Sequence, residues 1–512
     1  MMAGQVRRLG SALLVGFAVV VGGLGFWQVV AAESLNTRPD NPAVLAALRS
    51  QPRGTIFDAT GVALARTTVA NGLAQRAYSD PAFAHLVGYA SLRYGLSGIE
   101  AAWDDVLNGF TDPNPLHQWL NDILGRPPTQ YDLTLTLDRR LQDYAAAQLG
   151  TSVGAIVAID PATGQVLAMT STPSFDASGF TGDPGSAAAA WDLIAAQPND
   201  PFVDRARNGV YVPGSIMKVA TAAIGLDSGA VTTDTTFPTQ PEEEINGMYV
   251  DGFLITEHDL NGLTPGLWDM SEAMQVSSNI YFAHVGLEIG QERYLSGAEA
   301  LGFCAPWRIG PRDHGLSGVA SSVTELTDAG CGPFVDDAEL ASASFGQGRV
   351  TASPLMMALL TAAVANGGVL PDPFVVRDIR PASAQNGPLD EIVESFAPGD
   401  GTRVMSAQTA DSVRALMVDA VHGPLGAPYA GAANVALYGI SGVETAGKTG
   451  TAQRGGNLPP HSWFIGFVPA GPDGSPAIAV AVIVEGAGPG SQSAAPIGGR
   501  VMAEWLRLAG GG

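Results

Sequence analysis

The sequence predicts an α+β fold whose main sheet is assembled from strands at opposite ends of the chain. An apolar run from Gly154 to Asp160, a Pro161-Ala162-Thr163-Gly164 turn and a second run from Gln165 to Thr170 read as a β-hairpin. Two more apolar strands, His461 to Val468 and Ala477 to Glu485, come near the C-terminus, and Ala495 to Leu508 follows as a closing helix. The pattern between these groups is helical, so helices are inserted between early and late strands, which is an α+β arrangement.

From the N-terminus, residues 9–32 run without a charge and exceed the roughly 20 residues needed to cross a bilayer. Arg7 and Arg8 precede them, which keeps residues 1–8 in the cytoplasm and everything after residue 32 outside. The expectation is a single-pass signal anchor in the cytoplasmic membrane, with Phe26 and Trp27 towards the outer interface. The alternative is a cleaved signal peptide ending in the small residues Val30-Ala31-Ala32, for which the apolar run is long.

Residues 33–131 are mixed in character and carry no catalytic constellation. Gly54 to Ala65 reads as strand, Asp/Gly turn, strand, and Gly95 opens a helix running to about Leu107. A second domain, residues 132–512, starts near Asp132. Within it, residues 181–208 are rich in Gly, Ala, Asp and Pro and read as an exposed excursion. Glu242-Glu243-Glu244 reads as a solvated acidic loop rather than a metal site, because no flanking pattern matches a cation-binding loop. Ser271 to Val276 and Ile280 to Ile289 look helical, which leaves Ser277-Ser278-Asn279 at their junction. Cys304 and Cys331 are the only cysteines; as a disulfide they would stabilise by roughly 3–4 kcal/mol, and as free buried thiols they would not.

Composition excludes several functions. A formal net charge of −23 argues against nucleic acid or an anionic membrane surface as a partner. The 7 histidines form no paired spacing and neither cysteine is near one, so no metal or other cofactor is expected.

The chemistry concentrates in residues 209–228. Pro213-Gly214 gives a stiff residue and then a permissive one, suited to a sharp entry into a helix with Ser215 in its first turn. Lys218, three positions on, shares its face. A lysine in a buried helix needs a task or a partner. Ser215-x-x-Lys218 therefore reads as a nucleophile beside its base, aided by the orphan N–H groups of the first turn. Of the 26 basic residues only Lys218 and Lys448 are lysine. Arginine cannot lose its proton in a protein, whereas a buried lysine can. Both lysines lie inside motifs, the second in Lys448-Thr449-Gly450-Thr451.

Ser215-x-x-Lys218, Ser277-x-Asn279 and Lys448-Thr449-Gly450 resemble, in order and wide spacing, the penicillin-binding proteins and serine β-lactamases. Arg53-Gly54-Thr55-Ile56-Phe57-Asp58, Leu133-Thr134-Leu135-Thr136-Leu137-Asp138, Gly346-Gln347-Gly348 and the Lys448-to-Gln453 form of the last motif resemble the class B, transpeptidase-only proteins. The resemblance spans residue 50 to the C-terminus. It implies an antiparallel sheet flanked by helices, a helical lobe, and a small mixed α/β pedestal over residues 33–131. That segment is too short for the glycosyltransferase domain of bifunctional class A proteins and lacks its acidic motifs.

The same resemblance implies a peptidoglycan D,D-transpeptidase. Ser215 would attack the donor's D-Ala-D-Ala carbonyl with Lys218 as base, and Ser277 would pass a proton to the leaving amine. Asn279 would hold Lys218, and Lys448, Thr449 and Thr451 would bind the donor carboxylate. Gly450 would allow close backbone approach, and the N–H groups of Ser215 and Thr451 would form the oxyanion hole. An acceptor amine would resolve the acyl-enzyme, β-lactams would acylate the same serine, and a membrane glycan polymerase would be the partner. The alternatives are a β-lactamase or carboxypeptidase, for which no glutamate is assignable as the water's base, and an inactive cell-wall scaffold or β-lactam sensor.

Overall fold

The computed structural model describes residues 2–27, 31, 52–70, 73–111, 115–124, 129–258, 260, 262–383, 390–425, 440, 442–470 and 475–510. The chain divides into two compact units: residues 1–53 with 67–76, and residues 54–66 with 77–512.

The larger unit is built around a five-stranded antiparallel sheet in the order Ala446–Ala452, His461–Val468, Ile478–Val484, Gly154–Ile159, Val166–Thr172. This is the expected union of an early hairpin with late strands. The central strand Ile478–Val484 is apolar throughout, β-branched at every position but Ala479 and Ala481, and buried along its whole length. Its side chains alternate between two cores, as a period of two requires. Ala479, Ala481 and Ile483 join the large core that includes the fully buried helix Pro354–Ala365. Val480, Val482 and Val484 join a smaller core with Leu141, Leu149, Val501 and Met502. Those last residues belong to helices Arg139–Leu149 and Ala494–Gly510, the latter being the expected closing helix. Burying one such Val or Ile is worth about 1.5–3 kcal/mol, so a charge at Val482 would break the layer.

A second sheet of the larger unit includes, in order, Glu394–Ser395, Val376–Pro381, Tyr131–Leu135 and Ile56–Phe57. Tyr131–Leu135 lies parallel to Ile56–Phe57 and antiparallel to Val376–Pro381. The expected start of the second domain at Asp132 therefore falls inside a strand. Asp132 itself accepts from Thr55 N at 2.6 Å and from Ser383 N at 2.8 Å. A sequence boundary drawn by motif cannot see a pairing that joins strands more than two hundred residues apart.

Residues 181–200 are mostly exposed, as expected of the excursion, and part of it is helical, whereas the expectation of a solvated acidic loop is corrected. Residues 181–208 contain helix Pro184–Ala195, capped by Asp183, and Trp191 stacks on Phe202 at 4.2 Å in a cluster with Phe175 and Phe180. Glu242-Glu243-Glu244 lies in helix Gln240–Asn246 and is not a solvated loop: Glu244 is buried, and Glu243 contacts His284 at 2.5 Å. Among the described residues no group of acids, histidines or cysteines could hold a metal.

In the smaller unit, helix Met2–Gly25 is described, and its side chains from residue 10 to 25 are exposed. Among the described residues no helix is long and apolar enough to cross a membrane. Residues 28–30 and 32, the end of the expected span, lie outside the described set, as do Gly511 and Gly512.

Candidate active site

The nucleophile candidate sits on a tight turn, not on the α-helix itself. Gly214–Ile216 is a single 3₁₀ turn and helix Met217–Asp227 follows it. Gly214 has φ +60°, a conformation that glycine adopts at no steric cost. Two contacts from elsewhere fix this turn. Gly214 N donates to Gly346 O at 2.8 Å, and Trp463 Nε1 donates to Val212 O at 3.0 Å. A Cβ on Gly450 would lie 2.8 Å from Pro213 O and 3.1 Å from Ile216 Cγ2. The missing side chain of Gly450 is therefore needed for the turn that carries Ser215, a closer constraint than the substrate approach expected from sequence.

The turn leaves Ser215 partly exposed and points Lys218 into the core, where it has no exposed surface. Lys218 Nζ lies 3.0 Å from Ser215 Oγ, 2.8 Å from Asn279 Oδ1 and 3.3 Å from Ser277 Oγ, and also donates to Ser277 O. Lys448, from strand Ala446–Ala452, is likewise buried and donates to Ser277 Oγ at 2.8 Å and to Thr449 O at 3.3 Å. Ser277 Oγ thus bridges the two lysines. Thr451 is exposed beside the site, and its Oγ1 accepts from Gly490 N at 3.3 Å. The structure brings Ser215, Lys218, Ser277, Asn279 and Lys448 into one hydrogen-bonded group, with Thr449, Gly450 and Thr451 along its edge.

Ser277 caps helix Met270–Val276 in the left-handed region, φ +60° and ψ 37°. Such a conformation costs a non-glycine residue about 1–2 kcal/mol and is held only when its surroundings demand it. Ser278 then caps helix Asn279–Ile289 by accepting from Tyr281 N at 3.0 Å.

Electrostatics favour a neutral Lys218. Burial pushes its pKa down to about 7, against the opposing pull of Glu257 and Glu244. Burial, and secondarily the charge of Lys218, also hold Lys448 well below the ordinary lysine value. Both amines rest on neutral oxygens, with no carboxylate among their hydrogen-bond partners in the described residues.

Sequence reasoning missed two residues. Glu257 accepts from Asn279 N at 2.7 Å and Ile280 N at 3.1 Å, and lies 3.1 Å from Ser278 Oγ. Glu244 accepts from Ser278 Oγ at 2.6 Å and Trp268 Nε1 at 2.9 Å. Nothing local marks Glu257, which follows a two-stranded hairpin. Glu244 could have been suspected from Gln240, one helical turn earlier and also buried.

Cys304 and Cys331 are joined in a disulfide with Cα atoms 5.0 Å apart. They stand outside the hydrogen-bonded group.

A hydroxyl beside a buried amine of lowered basicity, with a second buried amine one hydroxyl away, defines the active-serine acyl transferases. The penicillin binding protein transpeptidase domain matches residues 154–503, and the penicillin binding protein A dimerisation domain matches residues 53–132. The chain is 33% identical to the peptidoglycan D,D-transpeptidase PbpA of Mycolicibacterium smegmatis, over 98% of this chain and 99% of that one. It is 32% identical to the PbpA of Mycobacterium tuberculosis, over 98% of each. The penicillin G acyl-enzyme complex of penicillin-binding protein A from M. tuberculosis superposes with a TM-score of 0.75 at 30% identity, covering 90% of this chain and 100% of that one. The chain belongs to the penicillin-binding proteins, in their class B.

Proposed function

We propose that this chain is a peptidoglycan D,D-transpeptidase that cross-links stem peptides through an acyl-enzyme on Ser215 and is acylated there by β-lactams. The observation that carries the reading is Lys218 Nζ, buried, 3.0 Å from Ser215 Oγ and depressed to about 7. An ordinary lysine, near 10.4, is protonated at neutral pH and cannot accept a proton; burial favours the neutral amine here. Ser215 attacks the carbonyl between the donor's terminal D-alanines and its proton goes to Lys218. Ser277 Oγ, within reach of both lysines, passes a proton to the departing D-alanine amine. Asn279 Oδ1 keeps Lys218 aimed at Ser215. Lys448, Thr449 and Thr451 receive the donor carboxylate, and the N–H groups of Ser215 and Thr451 face the developing oxyanion. An amine from a second strand then attacks the ester, releasing the cross-linked peptide and regenerating Ser215.

Residues 132–512 act as the catalytic domain and residues 33–131 as its pedestal. A single-pass anchor over residues 9–32 places both outside the cytoplasmic membrane, on the strength of the uncharged run after Arg7 and Arg8. A membrane glycan polymerase is the partner implied by family resemblance. Incubating the full-length chain with a fluorescent penicillin tests the central claim, followed by denaturing gel and intact mass. The expected result is a long-lived adduct on Ser215 that Ser215→Ala abolishes. An adduct surviving that substitution sinks the assignment of the nucleophile, and rapid turnover of the penicillin replaces the transferase by a hydrolase.

A further inference from the structure

The junction carrying Ser277 and Asn279 is the least self-sufficient part of the site. Ser277 occupies a left-handed conformation unusual for a residue with a side chain, which persists only where the surrounding structure holds it. Glu244 takes the Ser278 hydroxyl at 2.6 Å, and the backbone of the junction is held by a second carboxylate, Glu257. Glu257 has a side chain 3% exposed, and one oxygen, Oε2, accepts from Asn279 N and Ile280 N and lies 3.1 Å from Ser278 Oγ. Its other oxygen accepts from His258 N at 2.9 Å and contacts His258 Nδ1. The first two donors are orphan N–H groups opening helix Asn279–Ile289, where a negative charge is favoured.

We propose that Glu257 is a positioning residue for the acylation step: it holds the Ser277–Asn279 junction and places a negative charge behind Lys218. This rests on the reading of Ser215 as nucleophile and Lys218 as its base. The geometry limits Glu257 to this indirect part, because its oxygens are occupied by the junction's donors and by His258. It reaches Lys218 through Asn279, whose N–H binds Glu257 and whose Oδ1 binds Lys218.

The charged and titratable groups around this pair are few. Facing Lys218 are Ser215, Lys448 through Ser277 Oγ, and Glu257 and Glu244 behind the junction. Facing Glu257 are His258, Lys218 and Glu244. Burial raises Glu257, but the hydrogen bond and charge of His258 and the charge of Lys218 more than offset it, so Glu257 stays ionised. Burial raises Glu244 above the ordinary carboxylate value, making it the weaker source of negative charge. Glu257 is also the larger of the two pulls that limit the fall of Lys218. Removing its charge lets Lys218 fall further, so the free amine appears at lower pH.

The test is the second-order rate constant for labelling full-length protein by a fluorescent penicillin between pH 5.5 and 9, which reports groups of the free enzyme. In Glu257→Gln the midpoint of the rising limb should move down by about one pH unit. A packing role alone would lower the rate without moving the midpoint, so a folded Glu257→Gln with an unmoved or raised midpoint overturns the proposal. If that variant does not fold, Glu257→Asp decides. It keeps the charge but withdraws the carboxylate from the junction, so the midpoint should hold while the plateau falls at least tenfold. An unchanged plateau overturns the proposal. Absence of a Ser215 adduct in the wild-type protein would instead remove the reading beneath it.

Discussion

Gly346→Ala measures how tightly the nucleophile turn is held from outside its own helix. Gly346 has φ +83° and its carbonyl accepts from Gly214 N at 2.8 Å. A Cβ built there would lie 2.0 Å from Gly214 O and 2.8 Å from Met217 Cβ. An ordinary carbon–oxygen contact needs roughly 3.3 Å, so the two segments must separate by more than 1 Å. The atom that gives way belongs to the residue before Ser215. A misplacement of about 1 Å costs on the order of 100-fold in rate. The substitution should also cost about 1–2 kcal/mol for a side chain in the left-handed region and about 1 kcal/mol for the weakened Gly214–Gly346 bond. Labelling by fluorescent penicillin gives the rate and urea unfolding gives the stability. Gly348→Ala is the control, because it has φ +78° but its Cβ would meet only Ser342 Cβ, at 3.5 Å. That variant should lose about 1–2 kcal/mol while labelling near the wild-type rate. If folded Gly346→Ala labels within threefold of wild type, Gly346 does not set the position of Ser215.

Other consequences follow from the same geometry. Lys218→Arg keeps the charge but removes the base, since a guanidinium stays protonated; labelling of Ser215 should fall at least 1,000-fold, in the range general-base losses reach. The wild-type labelling rate should climb through about pH 7, because Lys218 must be neutral to act and its buried amine is pushed down to about that value. A flat profile between pH 6 and 8 would exclude Lys218 as the titrating base. The same depressed pKa makes the folded protein carry a disfavoured charge at low pH. That penalty is fully present below about pH 7 and disappears as pH rises towards the unfolded lysine value, so urea stability should gain from this group between pH 7 and 10. Reducing the Cys304–Cys331 bond, which spans 27 residues, should cost about 3–4 kcal/mol in urea and leave the labelling chemistry intact.

The sequence alone determined the chemistry of this protein and the class of its fold. Two lysines among 26 basic residues, each in a motif with a hydroxyl residue, announce amines that must be able to lose protons. The apolar strands that form the main sheet are equally legible, because a buried strand needs a continuous apolar run wherever its partners lie. Tertiary structure decided everything that depends on pairing between distant segments. Motif order could not say that Ser277 Oγ bridges Lys218 and Lys448, that Gly450 and Gly346 leave room for the turn bearing Ser215, or that Tyr131–Leu135 joins Ile56–Phe57 to Val376–Pro381. Glu257 is the plainest case. In the chain it is one acid among 49 acidic residues, with no periodicity or neighbour to single it out. Only folding buries it against the N–H groups of Asn279 and Ile280, and burial turns an ordinary carboxylate into one that shapes the site.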